Sequence, residues 1–250
     1  MSIWGKVIGG VAGFALGGPL GAILGAAAGH AVDRRRGEDV PEGLISDEAK
    51  QVAFTVAVIT LSAKMAKADG QVTRDEVDAF KEIFNIPPQE MAGVGRLFDE
   101  AKQETEGFEP YAQQVAHMFA HDRAVLQELL GGLYHIARAD GVVHPAELGF
   151  LRRVADIFGF DDREFESILH GCGGSAQAGA TDADAYKTLG VSPDVTDDAV
   201  KKAYRDMVRE YHPDKLVGQG LPQEFIDLAN ERMAAINAAY DKVSKARGIK

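Results

Sequence analysis

A single cysteine, Cys172, excludes any intramolecular disulfide in the 250-residue chain, and a reducing compartment suits the soluble part. Positive charge is also scarce: 27 Lys and Arg stand against 38 Asp and Glu, a formal net charge of −11. An overall acidic surface repels phosphates, which argues against nucleic acid as the main partner. The sequence lacks the apolar–polar alternation of half-buried strands, so an all-α protein is expected. No carboxylate pair, zinc-ligand spacing or nucleophile elbow occurs. The chain is therefore not expected to be an enzyme, and no cofactor is expected.

Charge of either sign is missing from Val7 to Gly29, a run of 23 residues. Lys6 precedes it, while Asp33 and the triplet Arg34, Arg35 and Arg36 follow. About twenty uncharged helical residues cross the hydrocarbon core of a bilayer. A secretory signal would carry its positive cluster before the run, whereas here the stronger cluster comes after it. The positive-inside bias then places the N-terminus outside and the bulk of the chain in the cytoplasm. Gly9, Gly13, Gly17, Gly21 and Gly25 continue a four-residue period that begins at Gly5 and ends at Gly29. On a helix they form a stripe without side chains, where a second helix backbone can approach, so a homodimer through this helix is expected. A flexible Gly/Ala tail, favoured by Pro19, and a peripheral membrane contact are the competing readings.

Four further segments follow the anchor at 1–32. Residues 33–46 are polar, with Gly and Pro, and read as a juxtamembrane linker. From 47 to 170 the pattern is helical: Phe54, Val58, Leu61 and Met65 keep 3.6-residue timing. Later helices are expected near 73–84, 88–105, 109–121, 123–140, 145–158 and 161–170. Residues 171–181, GCGGSAQAGAT, cannot bury much and read as a flexible linker. Residues 182–250 are nearly neutral, with 11 basic and 12 acidic side chains, so the acidity resides in the rest.

The middle segment repeats itself. Ala68, Asp69, Gly70, Val72 and Glu76 match Ala139, Asp140, Gly141, Val143 and Glu147 at an offset of 71. IFNIPPQE (83–90) matches IFGFDDRE (157–164) at an offset of 74. Two helical hairpins are expected, with Gly70 and Gly141 ending helices in left-handed geometry. Thr73 and Glu76 form a capping box, and Pro145 takes a first-turn position. The same turns fit half a calcium loop, but the earlier ligand positions fall on Met65 and Lys67 or on Ile136 and Arg138, which excludes an EF-hand. No metal site is assigned; Asp69, Glu76, Asp140 and Glu147 are the candidates for one shared between the hairpins.

The last segment holds the strongest motif. A short helix near 184–189 ends at Gly190, and a longer one runs from about Thr196 to Tyr211. His212, Pro213 and Asp214 follow, then an expected loop, KLVGQGLP, and a last helix from Gln223 to about Ala246. Proline disfavours helical geometry in the residue before it and so stops the longer helix. Val200, Ala203, Tyr204, Met207, Val208 and Tyr211 form a stripe to pack on the last helix. That helix offers Phe225, Leu228, Ala229, Ile236, Tyr240 and Val243. Lys201, Arg205 and Arg209 recur at i+4 on another face, with Lys202 beside them.

Helix, long helix, HPD tripeptide and long antiparallel helix, with LGV before and INAAYDKV within, resemble the J domain of the DnaJ family over residues 183 to 246. The resemblance implies that His212, Pro213 and Asp214 dock on the nucleotide-binding domain and interdomain linker of a DnaK-type Hsp70 and trigger its ATP hydrolysis. Lys201, Lys202, Arg205, Arg209 and Lys215 would steer that acidic partner. The duplicated ADG turns resemble the TerB-like (tellurite-resistance) helical domain. Together with the N-terminal WGKVIGG, the chain resembles membrane-anchored DnaJ-like proteins of bacteria. This implies a single-pass inner-membrane co-chaperone with a periplasmic N-terminus. The alternative is a membrane-tethered signalling or scaffold protein whose TerB-like domain binds a metal or partner.

Overall fold

The computed structural model describes residues 47–69, 74–84, 86–103, 107–172, 181–219 and 221–249, together with Val7. The expected anchor and juxtamembrane linker otherwise lie outside the described residues. Among those described there are eleven helices and no strand, and no helix is long and apolar enough to cross a membrane.

The first helix, α1 (Asp47–Asp69), is buried at every residue from Val52 to Ala66. Phe54, Val58, Leu61 and Met65 are inside, as their timing requires, but so are the other faces. The reason is position: α1 packs against α3 (Met91–Gln103), α4 (Glu109–Met118), α5 (Arg123–Ala137) and α6 (Pro145–Ile157). A helix apolar on all sides belongs at the centre of a bundle. The remaining bundle helices are α2 (Arg74–Phe84) and α7 (Asp162–Cys172).

The hairpin turns are closed by local chemistry. In the second repeat, Gly141 adopts φ +89°, the left-handed geometry expected of it. His144 caps α6: its Nδ1 accepts from the Ala146 amide at 3.2 Å, while Glu147 Oε2 accepts from the His144 amide at 2.9 Å. Asp161 and Glu164 exchange the same reciprocal bonds at 2.8 Å to open α7. Gly70 and Thr73 of the first repeat lie outside the described residues.

Beyond residues 173–180, which are not described, the chain forms α8 (Asp182–Thr188), α9 (Asp197–Glu210), α10 (Pro213–Gly218) and α11 (Gln223–Arg247). Thr181 caps α8, and Asp184 Oδ2 accepts from both the Thr181 amide (2.8 Å) and hydroxyl (2.7 Å). Those bonds favour the carboxylate and hold Asp184 below its ordinary value of 3.8. The stabilisation is therefore present above that value and lost as pH falls through the lowered one. Asp184→Asn should melt below wild type at neutral pH, with the gap closing under acid. A pH-independent gap in a thermal titration would refute the assignment.

In the hairpin, α9 and α11 bury Val200, Tyr211, Ile236 and Val243 with Ala185 and Leu189 of the α8 region. Tyr204 stacks on Tyr240 with ring centroids 4.0 Å apart and donates its hydroxyl to Asn237 Oδ1 at 3.0 Å. Arg247 ties the end of α11 to the start of the hairpin through Tyr186 Oη (2.5 Å), the Val195 carbonyl (2.6 Å) and Asp197 (3.1 Å).

Two expectations are corrected. KLVGQGLP does not begin as a loop: α10 extends through its first four residues, because His212 caps it, Pro213 fits the first turn and Leu216 is fully buried. The second correction concerns α11, whose apolar residues serve two cores. Ile236, Tyr240 and Val243 face the hairpin as expected. Phe225, Leu228 and Ala229 instead join the bundle, with Leu216, Leu221 and Ile226. Phe225 lies 4.6 Å from Phe54 and 5.7 Å from Phe84, centroid to centroid. A Cβ added to Gly132 would come within 2.5 Å of its ring, so glycine lets α11 approach α5 closely.

Candidate functional site

The HPD tripeptide sits where α9 gives way to α10. Tyr211 ends α9 with its amide on the Met207 carbonyl at 2.9 Å. His212 is then extended (φ −61°, ψ 128°), and its Nδ1 accepts from the Asp214 amide at 3.3 Å. Asp214 Oδ2 lies 3.8 Å from that nitrogen. The two side chains remain 56% and 94% exposed, so imidazole and carboxylate are presented together to an incoming partner. Capping uses one ring nitrogen of the imidazole, Nδ1, and fixes its direction.

The basic residues border this loop. Lys202, Arg205, Arg209 and Lys215 are exposed, whereas Lys201 is half-buried. Lys202 and Arg209 share Asp206, at 3.1 and 3.6 Å. Arg205 Nε donates to the Lys201 carbonyl at 3.2 Å. Exposed pairs of this kind are worth little in stability, so these cations stay available for a partner.

Two of the four candidate metal ligands have other engagements. Asp140 Oδ1 accepts from the Val142 amide at 3.0 Å, and Glu147 serves the α6 cap. Glu76 is buried and the Asp69 side chain lies outside the described residues. Among the described residues no group of three or more His, Cys, Asp and Glu is placed to hold a metal ion.

A polar cluster lies directly behind the HPD loop. Tyr211 donates its hydroxyl to Gln127 Oε1 of α5. Its ring is covered by the Arg232 guanidinium, 4.3 Å from the centroid. Arg232 Nη1 in turn meets Glu128 Oε1 at 3.2 Å, with the two side chains only 3% and 2% exposed. Burial pushes Glu128 upward against the pull of Arg232. Desolvation works to lower Arg232, yet the group is held above its ordinary value, with the Glu128 carboxylate bonded to it. Burial likewise raises the Cys172 thiol to about 11, Arg232 opposing. Sequence reasoning missed Gln127, Glu128 and Arg232. Their signal was present: Gln127 and Glu128 interrupt the otherwise apolar RAVLQELLGGLYHIA.

The three parts of the chain match three known families. "Co-chaperone DjlA transmembrane domain" matches residues 1–44, "Tellurite resistance protein TerB" residues 55–170 and "DnaJ domain" residues 184–248. The site and its frame are thus those of a J-domain protein. Relatives named "Co-chaperone protein DjlA" align end to end. That of Photobacterium profundum is 33% identical over 99% of this chain and 100% of its own. Those of Aliivibrio fischeri (34%) and Shewanella oneidensis (36%) cover 100% of both chains. The chain belongs to the DjlA co-chaperone family, and is a membrane-anchored co-chaperone. No solved structure matches it.

Proposed function

We propose that the chain recruits a DnaK-type Hsp70 to the membrane and stimulates its ATP hydrolysis through His212, Pro213 and Asp214, catalysing nothing itself. One observation carries this reading: the HPD backbone is fixed by a helix cap while the His212 and Asp214 side chains stand exposed beside exposed basic side chains. Lys202, Arg205, Arg209 and Lys215, with the half-buried Lys201, supply steering toward an acidic surface, which raises the rate of encounter. The charge pattern around residues 7–29 supports a single inner-membrane span with the N-terminus periplasmic. The glycine period supports pairing of two such helices. Hsp70 activity is then confined to the cytoplasmic face.

His212→Gln tests the mechanism. It removes the imidazole at the exposed loop, and should abolish stimulation in a single-turnover ATPase assay with the Hsp70 of the same cell. Unchanged stimulation would sink the reading.

A further inference from the structure

The HPD loop is held from both sides by one helix of the other domain. On its N-terminal flank, Tyr211 precedes His212 directly, is 1% exposed and donates its hydroxyl to Gln127. On its C-terminal flank, Gln219 Nε2 donates to Asp122 Oδ1 at 2.9 Å, and Leu216 is buried in the bundle core. Asp122, Gln127 and Glu128 belong to the cap and first half of α5. Gln127 and Glu128 are buried polar residues in an apolar helix, each with a partner across the domain boundary. Such groups are retained at a desolvation cost, and breaking one side leaves the other unsatisfied. The bundle thus carries a fitted seat for the residue before the tripeptide and for the helix after it.

The seat does not cover the presented face. His212 and Asp214 remain exposed, as do Lys202, Arg205, Arg209 and Lys215. Docking on α5 therefore leaves the partner-facing side open while restricting how the loop can move.

We infer that Gln127, with Glu128 and Asp122, positions the HPD loop, so that the TerB-like bundle sets how strongly the J domain stimulates its Hsp70. This rests on the HPD reading above. The residues act through Tyr211, Arg232 and Gln219 and do not themselves meet the partner. The exposed basic side chains that govern encounter are not part of this seat. Loss of the seat should lower the maximal stimulated rate and leave the concentration needed to reach half of it unchanged.

The test uses the full chain in liposomes with Hsp70, comparing wild type, Gln127→Leu, Tyr211→Phe and the double variant. Either single change removes the same hydrogen bond and should lower the maximal stimulated rate about fivefold, the scale of one such bond. Half-saturation should stay constant. The double variant should be no worse than either single, since the two residues act as one unit. Hydrogen exchange should rise at 211–219 and stay unchanged at 236–247. A wild-type maximal rate in Gln127→Leu, an additive double variant, or exchange rising throughout 236–247 would each overturn the positioning role. His212→Gln, run alongside, separates the two claims. If it abolishes stimulation while Gln127→Leu has no effect, only the positioning role fails. If it leaves stimulation intact, both fail.

Discussion

Phe225→Ala should destabilise the helical bundle by about 3–5 kcal/mol, although residue 225 lies in the DnaJ-domain segment of the chain. The side chain is fully buried between Phe54 of α1 and Phe84 of α2, against Gly132 of α5. Truncation removes its apolar contacts and leaves a cavity that rigid helices cannot fill completely. The loss should therefore be seen in α1 and α5, by amide exchange or urea denaturation followed by circular dichroism. An effect confined to α9 and the second half of α11 would show that Phe225 belongs to the hairpin alone.

Arg232→Ala should cost a similar amount, about 3–5 kcal/mol, because it strands a buried carboxylate. Glu128 is 2% exposed and, with the guanidinium gone, has lost its counter-charge. The penalty has a sign in pH. Burial already raises Glu128 above its ordinary 4.5 against the opposition of Arg232, and removing that opposition raises it further. A folded state that binds the extra proton gains stability as pH falls through the raised value toward 4.5, and loses it as pH rises. The deficit of Arg232→Ala relative to wild type should accordingly shrink on mild acidification. Replacing both partners, Glu128→Met with Arg232→Met, should recover most of the loss, since apolar groups of similar volume need no partner. If the double replacement is as unstable as Arg232→Ala, the stranded charge is not the cause.

Much of this architecture was legible in the residues because the informative signals were local. Helix timing located the seven bundle helices to within a few residues, and the glycine and cap residues of the second hairpin behaved as their chemistry dictates. The HPD tripeptide marked its own loop. What failed was assignment across distance. Periodicity shows that Phe225, Leu228 and Ala229 share a face, but not which core receives it. Likewise, KLVGQGLP carries two glycines and a proline, a loop signature, yet burial of Leu216 and the His212 cap carry the first turn into a helix. The Gln127–Glu128 interruption marks a place where an apolar helix must meet something polar; the identity of Tyr211 and Arg232 as the answer depends on the tertiary structure.

The shared helix α11 limits how this chain can be recombined. A J segment exchanged for one from an unrelated chain would preserve the tripeptide and the hairpin face of its last helix, yet bring a foreign first half to a bundle shaped around Leu216, Leu221, Phe225 and Ile226. Compatible grafts must carry that apolar edge, and a Gln127-reaching tyrosine, along with them. The unit of inheritance here is wider than the DnaJ segment, and exchange of parts between co-chaperones should succeed or fail at the seam with α5.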